Sequence, residues 1–267
     1  QVMQLKRPLL LKAAARFFSS AKPEQRARSE RFVKEERAWL ADWTLFAVLK
    51  SRHDTLPWWL WPKPYALRDP AALAAFAEEN ETALAVECYL QFRFYEQLLT
   101  LRERAENAGI GLIGDLPIYC ARDSADVWAH RTAFLLDAEG EPKEVSGVPP
   151  DYFAVDGQLW GTPVYDWAQQ AADGYAFWIA RLRGALRQAD ILRIDHFRAF
   201  ADYWSVPAGA TTARDGCWLP GPGDDFFAAL RQALGDAPFI AEDLGIITTR
   251  VEALRDLCHD LDRAGQH

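Results

Sequence analysis

Three short apolar segments constrain this chain more than any other feature: GIGLIGDLPIY (109–119), ADILRIDHF (189–197) and APFIAEDLG (237–245). None has a helical period. Each holds a strand-length run of about five residues, and each run ends on a carboxylate: Asp115, Asp195 and Glu242. Helical patterns stand between them, about Gly174 to Gln188 and Asp224 to Leu234, and Thr249-x-x-Glu252 has the form of a capping box opening a last helix. Strands alternating with helices predict a parallel sheet. Acids at the C-terminal ends of successive parallel strands are the pattern of a βα-barrel, which closes with eight strands. With only three good strands visible, the expected fold class is α/β: a partial TIM (β/α)8 barrel with helical and loop insertions.

The rest of the chain fills in around this frame. Leu9 to Phe18 is Ala/Leu-rich, and Glu24 to Lys50 places Phe32, Trp39, Leu40, Trp43 and Phe46 at helical spacing. His53 to Pro64, with its prolines and paired tryptophans, reads as loop. Asp69-Pro70 reads as an N-cap with Pro in the first turn of a helix that runs, with breaks, to Asn107 and stops at Gly109. Residues 120–172 are expected to be a long irregular loop with one short helix near Ser124 to His130, and loops this long inside a compact domain are usually functional. The reading is therefore of one incomplete catalytic domain over 1–267: a mainly helical insertion region at 1–108, and barrel strands at 109–267.

Composition excludes several function classes. Thirty Lys and Arg against 38 Asp and Glu give a net charge of −8, which disfavours nucleic acid or an anionic membrane as partner. No uncharged apolar run approaches the roughly 18 residues of a membrane span, and no signal peptide is visible. Cys88, Cys120, Cys217 and Cys258 form no C-x-x-C pair, so they are expected to be reduced thiols in a cytoplasmic protein. Asn80-Glu81-Thr82 then matches a glycosylation acceptor only by chance. The 11 Trp and 8 Tyr suit sugars, whose apolar C–H faces and hydroxyl rims match a flat ring with a polar handle. Clusters such as Trp58-Trp59-Leu60-Trp61 read equally well as core.

Gly109-x-Gly111-x-x-Gly114 spells the dinucleotide fingerprint. That motif must follow a strand and open a helix; here it follows a helix and opens a strand, so no nicotinamide or flavin site is expected. Arg193-Ile194-Asp195-His196 is sharper. Arg193 and Asp195 are two apart on a strand and share a face, whereas Leu192 and Ile194 face covering helices. An arginine beside a carboxylate keeps it ionised, as a nucleophile requires; a purely structural ion pair has the same spacing. Glu242 lies beside apolar Phe239-Ile240, where a carboxyl can be held protonated as a general acid, or can simply be a structural acid. Two such acids on neighbouring strands make the pair that glycoside chemistry uses.

RIDHFRAF, AEDLG, GDLPIY and GVPPDYFAVDGQLWGTPVYDW together resemble the amylomaltase or 4-α-glucanotransferase family, the disproportionating enzymes of glycoside hydrolase family 77. The likeness covers essentially the whole chain. RIDH and AEDLG are similar to the strand-4 and strand-5 signatures of the wider α-amylase clan. The resemblance implies a retaining transglycosylase that moves α-1,4-glucan segments to the 4-OH of an acceptor glucan or glucose, without metal or cofactor. It implies Asp195 as nucleophile and Glu242 as acid/base. It implies substrate contacts from Arg193 and His196 beside the nucleophile, from Asp115 on strand 3, and from Asp151 and Trp160 on a loop over the bound glucan.

Two departures stand out. Thr162 occupies a position where the family often has Asn, which implies tuning rather than loss. The family also uses a third carboxylate in a His-Asp-Asn motif on a later strand. His259-Asp260 mimics it, but Leu254, Leu257 and Leu261 share one helical face, so His259-Asp260 is expected to continue the capped helix. The chain therefore reads as a fragment lacking both ends of a full enzyme, inactive alone. The alternatives are an α-amylase-type glucan hydrolase and a non-catalytic glucan-binding remnant.

Overall fold

The computed structural model describes residues 2–242 and 248–263. The chain divides into two compact units, Gln1–Leu101 and Arg102–His267.

The first unit is helical: α1 (Val2–Ser20), α2 (Pro23–Glu35), α3 (Arg37–Arg52), α4 (Lys63–Ala66), α5 (Pro70–Glu79) and α6 (Glu81–Asn107), whose last turns belong to the second unit. The helical pattern of Glu24 to Lys50 is split at Glu36, which is buried and accepts the indole N–H of Trp39 at 2.6 Å. Asp69 caps α5 as expected, accepting the Ala72 N–H at 2.8 Å with Pro70 in the first turn. The segment after α3 is less irregular than its prolines suggest, because Trp58–Leu60 forms a 3-10 turn and α4 follows. Trp58 and Trp61 are core residues, and Trp61 donates to the Leu56 carbonyl at 3.0 Å. Ala14, Tyr89 and Phe92 form a second cluster with Phe17 and Phe32 around them. Asn80 is buried, its amide nitrogen donating to Phe76 O at 2.9 Å and its oxygen accepting from Arg52 at 3.0 Å.

The second unit carries β1 (Ile113–Leu116), α7 (Ala125–Ala129), β2 (Glu144–Val148), β3 (Gln158–Pro163), α8 (Trp167–Ala172), α9 (Ala176–Leu186), β4 (Ile191–Ile194), β5 (Asp202–Pro207), β6 (Cys217–Pro220), α10 (Asp224–Leu234), β7 (Phe239–Ala241) and α11 (Thr249–Arg263). The strands form two sheets. One is parallel, in the order β1-β4-β7; the other is antiparallel, in the order β3-β2-β5-β6. The antiparallel sheet corrects the expectation for 120–172, which holds β2 and β3 rather than one irregular loop. Gly147, Gly157, Gly161 and the Pro149-Pro150 pair interrupt the alternation by which such strands are recognised.

Helix α9 lies against β1 and β4, and α10 against α9 and α11. Leu192 and Ile194 of β4 are buried, while Ile191 and Arg193 on the other face are partly open. Trp178 of α9 is buried amid Tyr165, Trp167, Phe200 and Phe226, and Phe200 stacks on Phe226 at 4.7 Å between centroids. Gly114 is in β1 for want of room: a Cβ there would meet Ala189 Cβ at 2.8 Å and Leu192 Cδ2 at 2.9 Å. Gly109, at φ +70°, follows the end of α6. The Gly-x-Gly-x-x-Gly string therefore ends a helix and enters a strand.

Strand starts and ends are pinned by side chains. The Asp190 carboxylate accepts the Leu112 N–H at 2.8 Å and pairs with Arg102, and the Asp190 N–H donates to Leu112 O at 2.8 Å. The Leu112 hydrogen bond, then Arg102, holds this carboxyl below the usual range. Past β1, Arg181 of α9 donates to Pro117 O at 2.6 Å and to Ile118 O at 2.9 Å. Helix α11 opens one residue earlier than its sequence signature indicates: Thr248 Oγ1 accepts the Val251 N–H at 3.4 Å. The backbone of His259-Asp260 is helical within α11, as the leucine spacing predicts. Asp243, the end of the AEDLG motif and the side chains of His259, Asp260 and Cys258 lie outside the described residues.

Candidate active site

In the parallel sheet, Asp115 pairs with Arg193 and Arg193 with Ile240; one step on, Leu116 pairs with Ile194 and Ile194 with Ala241. The ladder continues past the strand ends. Asp195 N donates to Leu116 O at 3.0 Å, and Glu242 N to Ile194 O at 3.0 Å. Side chains alternate along a strand, so Asp115, Arg193, Asp195 and Glu242 emerge on one face at the C-terminal edge.

Arg193 organises the three acids. Its Nη1 is 2.5 Å from Asp115 Oδ1 and 3.0 Å from Asp195 Oδ1, and its Nη2 is 3.9 Å from Glu242 Oε1. The hydrogen bond to Asp115, then that to Asp195, holds Arg193 more firmly protonated. The carboxylates differ in access. The side chains of Asp115 and Asp195 are 61% and 42% exposed, whereas that of Glu242 is 14% exposed.

His196 follows Asp195 in the left-handed region, at φ 52° and ψ 48°. Its backbone N–H donates to Glu242 Oε2 at 2.6 Å. Its imidazole meets Trp160 edge to face at 4.9 Å. Burial pushes the imidazole below the ordinary histidine value against the opposing pull of Asp195, which favours the neutral ring.

Trp160 projects from β3 and donates to Gln158 Oε1 at 3.1 Å. Beyond it lies Tyr119, 6.2 Å from the indole and stacked on Tyr165 at 5.9 Å. Burial pushes the Tyr119 phenol well above its ordinary range, so it stays a neutral hydroxyl. Tyr119 closes the GDLPIY motif, and its position past Pro117 at a strand end is the signal by which it could be singled out. Asp151 is engaged in its own turn, accepting from Phe153 N at 2.8 Å and Ala154 N at 2.6 Å. That turn holds out the rings of Tyr152 and Phe153, which are 94% and 93% exposed. The structure thus gathers Asp115, Arg193, Asp195, His196, Glu242 and Trp160 in one chain of contacts, and places Asp151 at the base of an adjoining loop. Thr162 lies 2.5 Å from Ser146 Oγ through its hydroxyl.

Arg198 carries no local signal in the sequence. It is buried, donates to Asp202 at 2.7 Å and stands 3.8 Å over the Trp218 ring. It ties the turn after His196 to β5 and β6. Among the described residues, no cluster of His, Cys, Asp and Glu could hold a metal ion, no helix is long and apolar enough to cross a membrane, and Cys88, Cys120 and Cys217 are free thiols.

Comparison with known proteins places the chain in a family. A family model described as 4-alpha-glucanotransferase, glycoside hydrolase family 77, matches residues 1–261. This chain belongs to that family. It is 45% identical over 258 residues to a 4-alpha-glucanotransferase of Synechocystis, covering 96% of this chain and 51% of that protein. It is 46% identical to a Thermus thermophilus 4-alpha-glucanotransferase, covering 93% of this chain and 50% of that protein. Among solved structures it is similar to an amylomaltase from Streptococcus agalactiae in complex with acarbose, with a TM-score of 0.90 and 36% identity over 96% of this chain and 51% of that one. The chain thus spans about half the length of these relatives.

Proposed function

We propose that this protein acts as a retaining transglycosylase, moving α-1,4-glucan segments to the 4-OH of an acceptor glucan or of glucose. The observation that carries the reading is the placement of Asp195 and Glu242 past the ends of adjacent parallel strands, one open and one sheltered, around Arg193. Family membership and the names of its relatives support it, as does the acarbose complex of the related Streptococcus protein.

Asp195 attacks the anomeric carbon while Glu242 protonates the departing glycosidic oxygen. The resulting glycosyl ester is released when Glu242, now a base, takes the proton of the acceptor 4-OH. Arg193 aligns the nucleophile through the 3.0 Å contact with Asp195 Oδ1. Asp115, His196, Asp151 and Trp160 contact the glucan; Trp160 offers a flat face to a sugar ring. We read 109–267 as barrel strands 3–5 of a TIM-barrel catalytic domain, 1–108 as its helical insertion, and the protein as cytoplasmic. The chemistry asks for no metal or cofactor.

The test uses the protein expressed from its whole reading frame. Asp195→Asn is expected to lower transfer by more than about 10⁴-fold. Glu242→Gln is expected to stall transfer from maltotriose yet let a donor with an excellent leaving group label Asp195, as read by peptide mass spectrometry. Label on another residue would overturn the assignment. Equal glucose release with and without added acceptor would make the enzyme a hydrolase.

A further inference from the structure

The turn between Asp195 and the buried aromatic residues does something its imidazole does not. At a positive φ, His196 aims its backbone N–H at Glu242 Oε2, 2.6 Å away, and the next N–H, that of Phe197, reaches the Glu242 carbonyl at 3.3 Å. Two successive peptide N–H groups thus hold one residue, by its side chain and by its main chain. Left-handed backbone is disfavoured for any residue bearing a Cβ and is reached most readily by Gly and Asn. Consecutive N–H groups around such a residue form a concave site that favours an anion.

We propose that residue 196 is a positioning residue for Glu242, acting through its left-handed backbone and independently of its ring. The N–H fixes which Glu242 oxygen is engaged and leaves Oε1 on the side of Arg193. A peptide N–H donates to a carboxylate oxygen, so loosening the backbone at residue 196 weakens a hydrogen bond made to the charged form. Among the described residues, Arg193 faces Glu242, and the Asp195 and Asp115 carboxylates share its guanidinium. This proposal deepens the assignment of Glu242 as acid/base, and its readouts do not need turnover.

His196→Gly, His196→Asn, His196→Ala and His196→Val all remove the imidazole and differ in how readily residue 196 takes a positive φ. Glu242 is followed by ¹³C NMR of its side-chain carboxyl, assigned by its loss in Glu242→Gln. Gly and Asn should titrate together, Ala higher, and Val about one pH unit above Gly. The unaltered protein gives a second reading that no folding defect can spoil: the His196 amide proton should move with Glu242 titration, and that movement should vanish in Glu242→Gln. Equal midpoints in the Gly and Val variants, or a His196 amide that ignores the protonation of Glu242, overturn the proposal. Full transfer activity in Glu242→Gln would instead sink the acid/base assignment and leave the grip standing.

Discussion

The two sheets of the second unit solve different problems. The parallel sheet hides Leu192 and Ile194 beneath α9, while its other face carries Asp115 and Arg193 among Ile113, Ile191 and Ile240. The antiparallel sheet buries polar groups within itself: Ser146 and Ser205 are nearly inaccessible, the first within 2.5 Å of Thr162 and the second bonded to Glu144. Its apolar cluster is small, built on Val145, Val206 and Ala213. The parallel sheet and its aromatic helix layer therefore hold most of the unit's apolar burial. The antiparallel sheet is held by hydrogen bonds, each worth only about 1 kcal/mol net.

That contrast can be broken from either side. Trp178→Ala removes the ring at the centre of the helix layer and is expected to cost about 3–5 kcal/mol of unfolding free energy, read by urea denaturation. A loss below 1 kcal/mol would mean that the layer does not carry the unit. Gly114→Ala pushes a methyl into Ala189 and Leu192, at an expected cost of about 1–3 kcal/mol; a neutral result would show that β1 and β4 can part. Ser146→Ala, in the antiparallel sheet, strands one hydroxyl and should cost about 1 kcal/mol. A loss as large as that of Trp178→Ala would erase the distinction between the sheets.

The smallest effect is one of pH. His196 is held toward its neutral form by burial, whereas the unfolded imidazole titrates near its ordinary value of about 6.5. Below that pH the unfolded chain binds the extra proton first, so stability falls as pH drops from about 6.5 toward the lower folded value. His196→Asn should flatten this slope in denaturation midpoints measured between about pH 7.5 and 5. An unchanged slope would assign it to other groups.

The same contrast explains what could be read in the residues. The parallel strands were legible because an apolar run ending in an acid looks the same wherever it is found, and because period two fixes which side chains share a face. Asp115, Arg193, Asp195 and Glu242 follow from that rule. The strands β2 and β3 were not legible, because glycines and prolines in GVPPDYFAVDGQLWGTP serve turns and close approaches that only the partner strands explain. The cap of α11 falls one residue before its sequence signature because Thr248 and Thr249 are equivalent until the N–H of Val251 chooses between them. The role of Arg198 and the backbone of His196 depend on what faces them across the fold, which local pattern does not encode.

Asp190 does more than anchor a strand. Turning a strand over requires a slip of only one residue, and such a slip of β4 would send Arg193 and Asp195 into the helix layer. The Leu112 N–H and O both close on Asp190, and the same number of residues separates Leu112 from Asp115 as separates Asp190 from Arg193. Asp190 is thus the zero mark of a ruler laid along both strands. It stands at the end of the sheet remote from the chemistry, yet it sets the count by which an arginine arrives opposite its acid.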